Sequence, residues 1–313
     1  MSGGWNTIES DAGVFTYLVE ELGVKDVQFE EMISLDADML KQQAPIYGVI
    51  FLFKYPTNEP RSNEPRDGSF DHAAAENLFF ANQVIQNACA TQAILGVLLN
   101  RKDILIGGPL EEFKEFTQAF PAELRGEALS NSELIRTVHN SFSRSSPFID
   151  ENTRVATEED DVYHFIAYTS INNTLYEIDG LQPAPISHGA CTDDEFADKI
   201  IPVLQNRISR YPAHEIRFNL LAMVRDLRLR AQEFGDSEAL TAEERKRQEW
   251  EYENELRRHN FVGFAHQLLK EVIRKKLKDG TYEDWIKDAQ DKSKKRIDER
   301  MKGKGGDAMD IEY

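Results

Sequence analysis

Cys89 lies in NQVIQNACATQAI at 82–94, six residues after Gln83, in the first turn of the most apolar helical run of a 313-residue chain. A cysteine there meets free backbone N–H groups and the positive end of the helix dipole, and both favour a nucleophilic thiolate. The plain alternative is a small apolar packer, since unpaired cysteine is among the most buried residue types. Amide side chains at Gln83, Gln86 and Asn87 add groups that, with helix N–H groups, can form an oxyanion hole for acyl transfer. Read alone, Gln83 is a surface glutamine.

A second pair comes from a change of period. VYHFIAYTS at 162–170 and TLYEIDG at 174–180 alternate around a short polar connection, which predicts a hairpin. A two-residue loop at Ile171-Asn172 sets His164 directly opposite Asp179. A loop at Asn172-Asn173 makes them diagonal neighbours on one face, about 7 to 8 Å apart between backbones. Only a three-residue loop would put them on opposite faces. A histidine and a carboxylate presented together give an oriented imidazole able to deprotonate a nearby thiol, the Cys-His-Asp form of the nucleophile-base-orienter triad. Without Cys89, the same two residues read as a half-buried histidine and a turn-forming Asp-Gly. His72, His139, His188, His214, His259 and His266 have no cysteine or acidic partner at a telling spacing and read as structural or surface residues, and Cys191 reads as packing. There is no paired C-x-x-C, and no metal or cofactor is expected.

These residues need elements to hold them. SDAGVFTYLVEELG at 10–23 has a Ser/Asp start, apolar residues at helical spacing and a glycine stop. YGVIFLFKY at 47–55 is short, apolar and aromatic, which predicts a buried central strand. Residues 76–100, 109–120 and 131–142 follow helical periods, 194–211 reads as helix despite Pro202, and 215–226 reads as a strand. The polar stretch at 143–161 is expected to be a loop crossing the catalytic cleft. Helices first and antiparallel strands after give an α+β class. From Gln232 onward an apolar stripe of Trp250, Leu256, Phe261, Phe264, Leu268, Val272 and Ile273 at spacings of three and four predicts helix in need of a partner surface. The expected division is therefore a catalytic domain at 1–230 and a charge-rich helical extension at 231–313.

Composition bounds the function classes. Apolar residues make up 41% and charged residues 29%, ordinary for a globular chain, and no run of about 18 apolar residues is present to span a bilayer. The N-terminal MSGGWNTIESDAG lacks the basic region and apolar run of a secretory signal, so a reducing compartment is expected. Residues 1–240 carry 19 Lys/Arg against 38 Asp/Glu, and residues 241–313 carry 18 against 17. The front portion would repel nucleic acid and attract a basic partner. The basic runs at 274–278 and 294–296 lie among acids without interleaved aromatics, so neither nucleic acid nor membrane is expected as a partner.

At this point the residues resemble a family. ESDAGVFTYLVEELGV, YGVIFLFKY, NQVIQNACATQAILGVLLN, FKEFTQAF with LSNSELIRTVHNSF, YHFIAYTSINNTLYEIDGLQPAPISHGAC and EIRFNLLAMV resemble the ubiquitin C-terminal hydrolases, in the same order, over about residues 5–228. RRHNFVGFAHQLLKEVIRKKLK in the tail resembles the long-tailed, proteasome-associated branch of that family. The resemblance implies a papain-like fold with a central antiparallel sheet flanked by helices. It implies Cys89 as nucleophile, His164 as general base and acid, Asp179 as its orienter, and Gln83 with the Cys89 N–H as oxyanion hole. It also implies Ile216 and Phe218 as residues that contact the apolar patch of ubiquitin. The implied activity is cysteine-dependent hydrolysis of the bond after the C-terminal glycine of ubiquitin, without cofactor or metal, in cytoplasm and nucleus. The implied partners are ubiquitin as substrate and, through the tail, a ubiquitin receptor of the proteasome regulatory particle or a chromatin-remodelling complex. A tail-recruited scaffold with hydrolysis incidental or suppressed is the alternative function.

Overall fold

The first apolar period becomes α1 (Ala12–Glu21), capped by Asp11, whose carboxylate accepts the Val14 N–H at 2.9 Å, and followed by Gly23 at φ 98°. The computed structural model describes residues 4–55, 64–143, 163–212, 215 and 217–305. After α1 come β1 (Val27–Glu31), α2 (Ala37–Lys41), β2 (Ile46–Lys54), β3 (Ser69–Phe70) and α3 (His72–Asn77). A 3-10 turn at Gln86–Ala88 leads into α4 (Cys89–Leu98), then α5 (Gly108–Thr117), α6 (Ala122–Asn131) and α7 (Glu133–Ser141). The second half runs β4 (Tyr163–Ile171), β5 (Thr174–Ile178), β6 (Ile186–Ala190), α8 (Phe196–Ile208), β7 (Asn219–Arg225), α9 (Leu227–Phe234), α10 (Ser237–Arg258), α11 (Val262–Lys278) and α12 (Tyr282–Gly305). The stretch expected to cross the cleft lies, but for its first residue, outside the described residues.

Among the described residues seven strands form one antiparallel sheet in the order β1-β7-β2-β4-β5-β6-β3. Its inner strands β2 and β7 are rich in apolar residues because both faces are covered. Ile50, Phe165, Ala167, Leu221 and Met223 join α1 and α4 in one core. Their neighbours along the strands, Phe51, Phe53, Ile166, Tyr168 and Ala222, join Ile200 and Leu204 of α8 in a second. Each fully buried side chain of this size contributes about 1.5–3 kcal/mol through the water it sheds.

The hairpin settles its own register. Ala167 pairs with Ile178 and Ile171 with Thr174, so the loop is Asn172-Asn173, at φ 50° and 62°. Two successive left-handed residues make the tight turn whose twist matches the strands, and asparagine tolerates that region. The Ile171-Asn172 loop is excluded, and His164 and Asp179 are diagonal neighbours.

The strand read over 215–226 starts only at Asn219, so Phe218 precedes it, half-buried against Phe51 and Tyr211 with ring centroids 5.8 and 5.0 Å away. The unit that holds the sheet continues past 230 to His259, because α9 and α10 pack back onto it. Gly13 of α1 leaves room for Trp250, whose ring carbon would lie 2.7 Å from an added Cβ. Tyr17 donates its hydroxyl proton to the Arg247 carbonyl at 3.0 Å, Arg257 reaches Asp11 at 2.8 Å, and buried Arg247 reaches Asp226 at 3.2 Å. Composition marked 231–259 as tail, but its Trp250 is already covered by the chain's first helix. The helices α11 and α12 belong to a separate unit, joined by a turn with Gly280 at φ 66°.

Candidate active site

Cys89 opens α4, and its cap residue, Ala88, contributes no side-chain hydrogen bond to the helix end. The positive end of the helix dipole still favours negative charge at this point. The thiol itself is buried, 9% exposed. Thr91, in the same first turn, hydrogen-bonds His139 Nδ1 at 2.7 Å, while His139 Nε2 donates to the Asn6 carbonyl at 2.6 Å. Burial holds that imidazole neutral, its pKa pushed down to about 4. His139 thus fastens the helix that begins at Cys89 to the N-terminal segment, in line with its reading as a structural residue.

His164 comes from β4. His164 Nε2 and Asp179 Oδ1 lie 2.7 Å apart, both side chains buried at 3% and 1% exposure. That bond leaves Nδ1 as the ring nitrogen for the thiol. Burial works against a charge on His164, but the Asp179 carboxylate more than offsets it, and hydrogen bonding and charge from Cys89 add to that, so the imidazole is pushed up to about 9. Burial likewise opposes ionisation of Asp179, and the His164 charge and the Leu181 N–H, which donates to Oδ1 at 3.0 Å, hold its pKa below the ordinary value. Phe53 and Tyr55 meet the His164 ring edge-on at 5.8 and 5.6 Å and fix its plane.

The helix read over 76–100 is broken at 78–85, and the break is what delivers Gln83. Buried Arg125 on α6 donates to the carbonyls of Leu78 at 2.6 Å and Phe80 at 3.4 Å, and Gln92, one turn beyond Cys89, donates to the Ala81 carbonyl at 2.6 Å. The Gln83 N–H then donates to the Gly180 carbonyl at 2.8 Å. Glycine at 180 eases this approach, since an added Cβ would lie 2.1 Å from Gln92 Nε2 and 3.1 Å from Gln83 Cβ and would force Gln92 to move. Gln83, Cys89, Gln92 and Gly180 line one narrow cleft, with Asp179 next in sequence to Gly180.

A thiol at a helix N-terminus, an imidazole held by a buried carboxylate and an amide beside the thiol can perform acyl transfer. A family model for ubiquitin carboxyl-terminal hydrolase, family 1, matches residues 5–209, and a second for ubiquitin carboxyl-terminal hydrolases matches residues 237–277. This chain belongs to the ubiquitin carboxyl-terminal hydrolases. It is 52% identical over 295 residues to ubiquitin carboxyl-terminal hydrolase 2 of Schizosaccharomyces pombe, covering 92% of this chain and 97% of that one. It is 37% identical over 318 residues to ubiquitin carboxyl-terminal hydrolase ubh-4 of Caenorhabditis elegans, covering 95% and 96%. Among solved structures it is similar to the Trichinella spiralis UCH37 catalytic domain bound to ubiquitin vinyl methyl ester, at 37% identity and a TM-score of 0.61, covering 71% of this chain and 96% of that one. As a member of this family the chain is a cysteine-type deubiquitinating hydrolase, with ubiquitin as substrate.

In this ubiquitin hydrolase the four residues expected for catalysis come together, while Ile216 lies outside the described residues. Cys191 is buried and its thiol pushed up to about 11 by burial, which suits packing. Three site residues escaped the sequence reading. Gln92 could have been found as a polar residue in an otherwise apolar helix, which must bond something. Gly180 had only its place after Asp179, and Arg125 had no local signal. His188, read as partnerless, lies 3.4 Å from the Glu177 carboxylate.

Proposed function

We propose that Cys89 is the nucleophile, His164 the proton carrier, Asp179 its orienter and Gln83 with the Cys89 N–H the oxyanion site. The observation that carries this reading is the buried 2.7 Å bond between His164 and Asp179 beside a thiol at a helix start. The thiolate attacks the C-terminal glycine carbonyl of ubiquitin. Negative charge on the carbonyl oxygen is met by the Cys89 N–H and the Gln83 amide. The carbon–nitrogen bond breaks as His164 gives its proton to the leaving amine, and His164 then deprotonates the water that opens the thioester. Treating the full chain with ubiquitin vinyl methyl ester and measuring intact mass tests it. One ubiquitin should add to the wild type and none to Cys89→Ala, whereas labelling of the variant would overturn the assignment.

We further infer docking through the C-terminal helices to a ubiquitin receptor of the proteasome regulatory particle. What supports it is α11, which has no buried residue and holds Phe264, Leu268 and Leu269 50–66% exposed. Affinity purification of the full chain and of a chain ending at His259 tests this. Proteasome subunits should accompany only the former, and a chromatin-remodelling complex in their place would redirect the assignment. A thiol nucleophile suits the reducing cytoplasm and nucleus, which fluorescence microscopy of the tagged chain would check.

A further inference from the structure

Behind the His164–Asp179 pair lies a second charged pair that the mechanism above leaves unused. Glu177 on β5 and Asp179 just beyond it are two residues apart, so their side chains leave the same face of the sheet. Both are buried, at 3% and 1% exposure. Two carboxylates so placed compete for one proton and for one cation. Arg207 of α8 resolves the competition for cations: its Nη1 donates to Glu177 Oε1 at 2.5 Å, and its guanidinium lies over the Phe53 ring at 4.6 Å. Phe53 is the same ring that fixes the plane of His164.

We propose that Arg207 and Glu177 are positioning residues of the hydrolase: Arg207 satisfies Glu177, so that Asp179 alone is left to hold the His164 imidazolium. The inference rests on the assignment of Cys89, His164 and Asp179 made above. The patch then holds two anions, Glu177 and Asp179, and two cations, Arg207 and protonated His164. Burial opposes ionisation of Glu177, and the Arg207 charge overcomes it, as it also helps to keep Asp179 ionised. From neighbouring elements, Tyr168 on β4 faces Arg207 with its hydroxyl 3.4 Å away, and His188 on β6 faces Glu177 at 3.4 Å. Glu64, Arg66, Asp67 and Arg210 line the same cavity as Arg207 and Asp179, with Arg210 paired to Asp67.

The sign of each effect follows from net charge. Removing Arg207 adds negative charge beside the site and raises the pKa of every acid there, thiol and carboxyl alike. Removing the charge of Glu177 does the reverse. The test measures kcat/KM against pH for the full chain on ubiquitin carrying a fluorogenic C-terminal amide. The acid limb of Arg207→Met should move up by about 0.5–1 pH unit, that of Glu177→Gln should move down by a similar amount, and the double variant should return to within about 0.3 of wild type. KM should hold if the two residues act through Asp179 and His164 alone, and a change in KM with no shift of the limbs would point to substrate contact instead. A merely structural ion pair predicts no opposed shifts and a double variant at least as impaired as either single one, and that result overturns the proposal. Should Arg207→Met not fold, Glu177→Gln decides alone: a downward limb supports the proposal and an unmoved limb sinks it. Loss of turnover in Cys89→Ala, measured alongside, keeps a failure of this inference distinct from a failure of the site assignment.

Discussion

Two neighbouring helices, α10 and α11, have the same kind of sequence and different surroundings. Both are charge-dense and both carry an apolar stripe, yet α10 lays Trp250 into the space above Gly13 and buries Arg247 and Asn254, whereas α11 buries nothing. An amphipathic period therefore says that a face wants covering and is silent on whether the cover is in the same chain. Here the cover for α10 came from the opposite end of the sequence, a glycine in α1 some 240 residues earlier that no local pattern marks.

The largest expected effect breaks the comparison at the junction. Ending the chain at Asp236 removes α10, exposes the Gly13 and Tyr17 face of α1, and takes from Asp226 the buried guanidinium of Arg247. Loss of several kcal/mol should lower Tm by on the order of 10 °C or more, read by calorimetry. Ending it at His259 should leave Tm nearly unchanged. Equal Tm values for the two truncations would mean that α10 is tail after all.

Legibility of the molecule follows the same logic. The strand at 47–55 was readable because both faces of β2 are buried and every residue declares it, while β1 ends in two glutamates and β6 reads ISHGA, so each leans on its neighbours rather than its own composition. The four candidate residues could be picked out because chemistry restricts which residue types can serve, and the hairpin limited His164 and Asp179 to a few geometries. Register remained open until Asn172 and Asn173 both proved left-handed. Arg207 and Glu177 were invisible: 30 residues separate them, one on a helix and one on a strand, and a charged residue in either place reads as a solvated face. Gln83 was found, but not the backbone bond to Gly180 that ties it to the Asp179 loop.

A middle-sized effect sharpens the comparison at one contact. Gly13→Val drives a branched side chain into the Trp250 ring, and overpacking of this kind should cost about 1–3 kcal/mol in urea denaturation. Trp250→Ala also destabilises, by less than the roughly 3–5 kcal/mol typical of a fully buried tryptophan because its ring stays partly exposed. Combined, the two should cost clearly less than their sum, since the alanine opens the space that the valine needs. Additive costs would show that the Gly13 face and Trp250 act independently and that α10 is held elsewhere, through Arg257 and Lys246.

The smallest effect lies on α11 and is informative because it is small. Leu268 is 54% exposed, and an aspartate there stays in water, so Leu268→Asp leaves no buried charge uncompensated. Its helical neighbours at three and four residues, Ala265, Phe264, Glu271 and Val272, include one acid, and like charges at such spacing cost only a few tenths of a kcal/mol. The expected change in unfolding free energy is within about 0.5 kcal/mol, and turnover of a small ubiquitin amide should match wild type. Capture of the partner by the C-terminal helices should nonetheless fall, because a carboxylate now sits in the stripe that a partner would desolvate. A drop in Tm comparable to that of Trp250→Ala would mean that α11 is covered in the free chain, and the two helices would then differ in degree only.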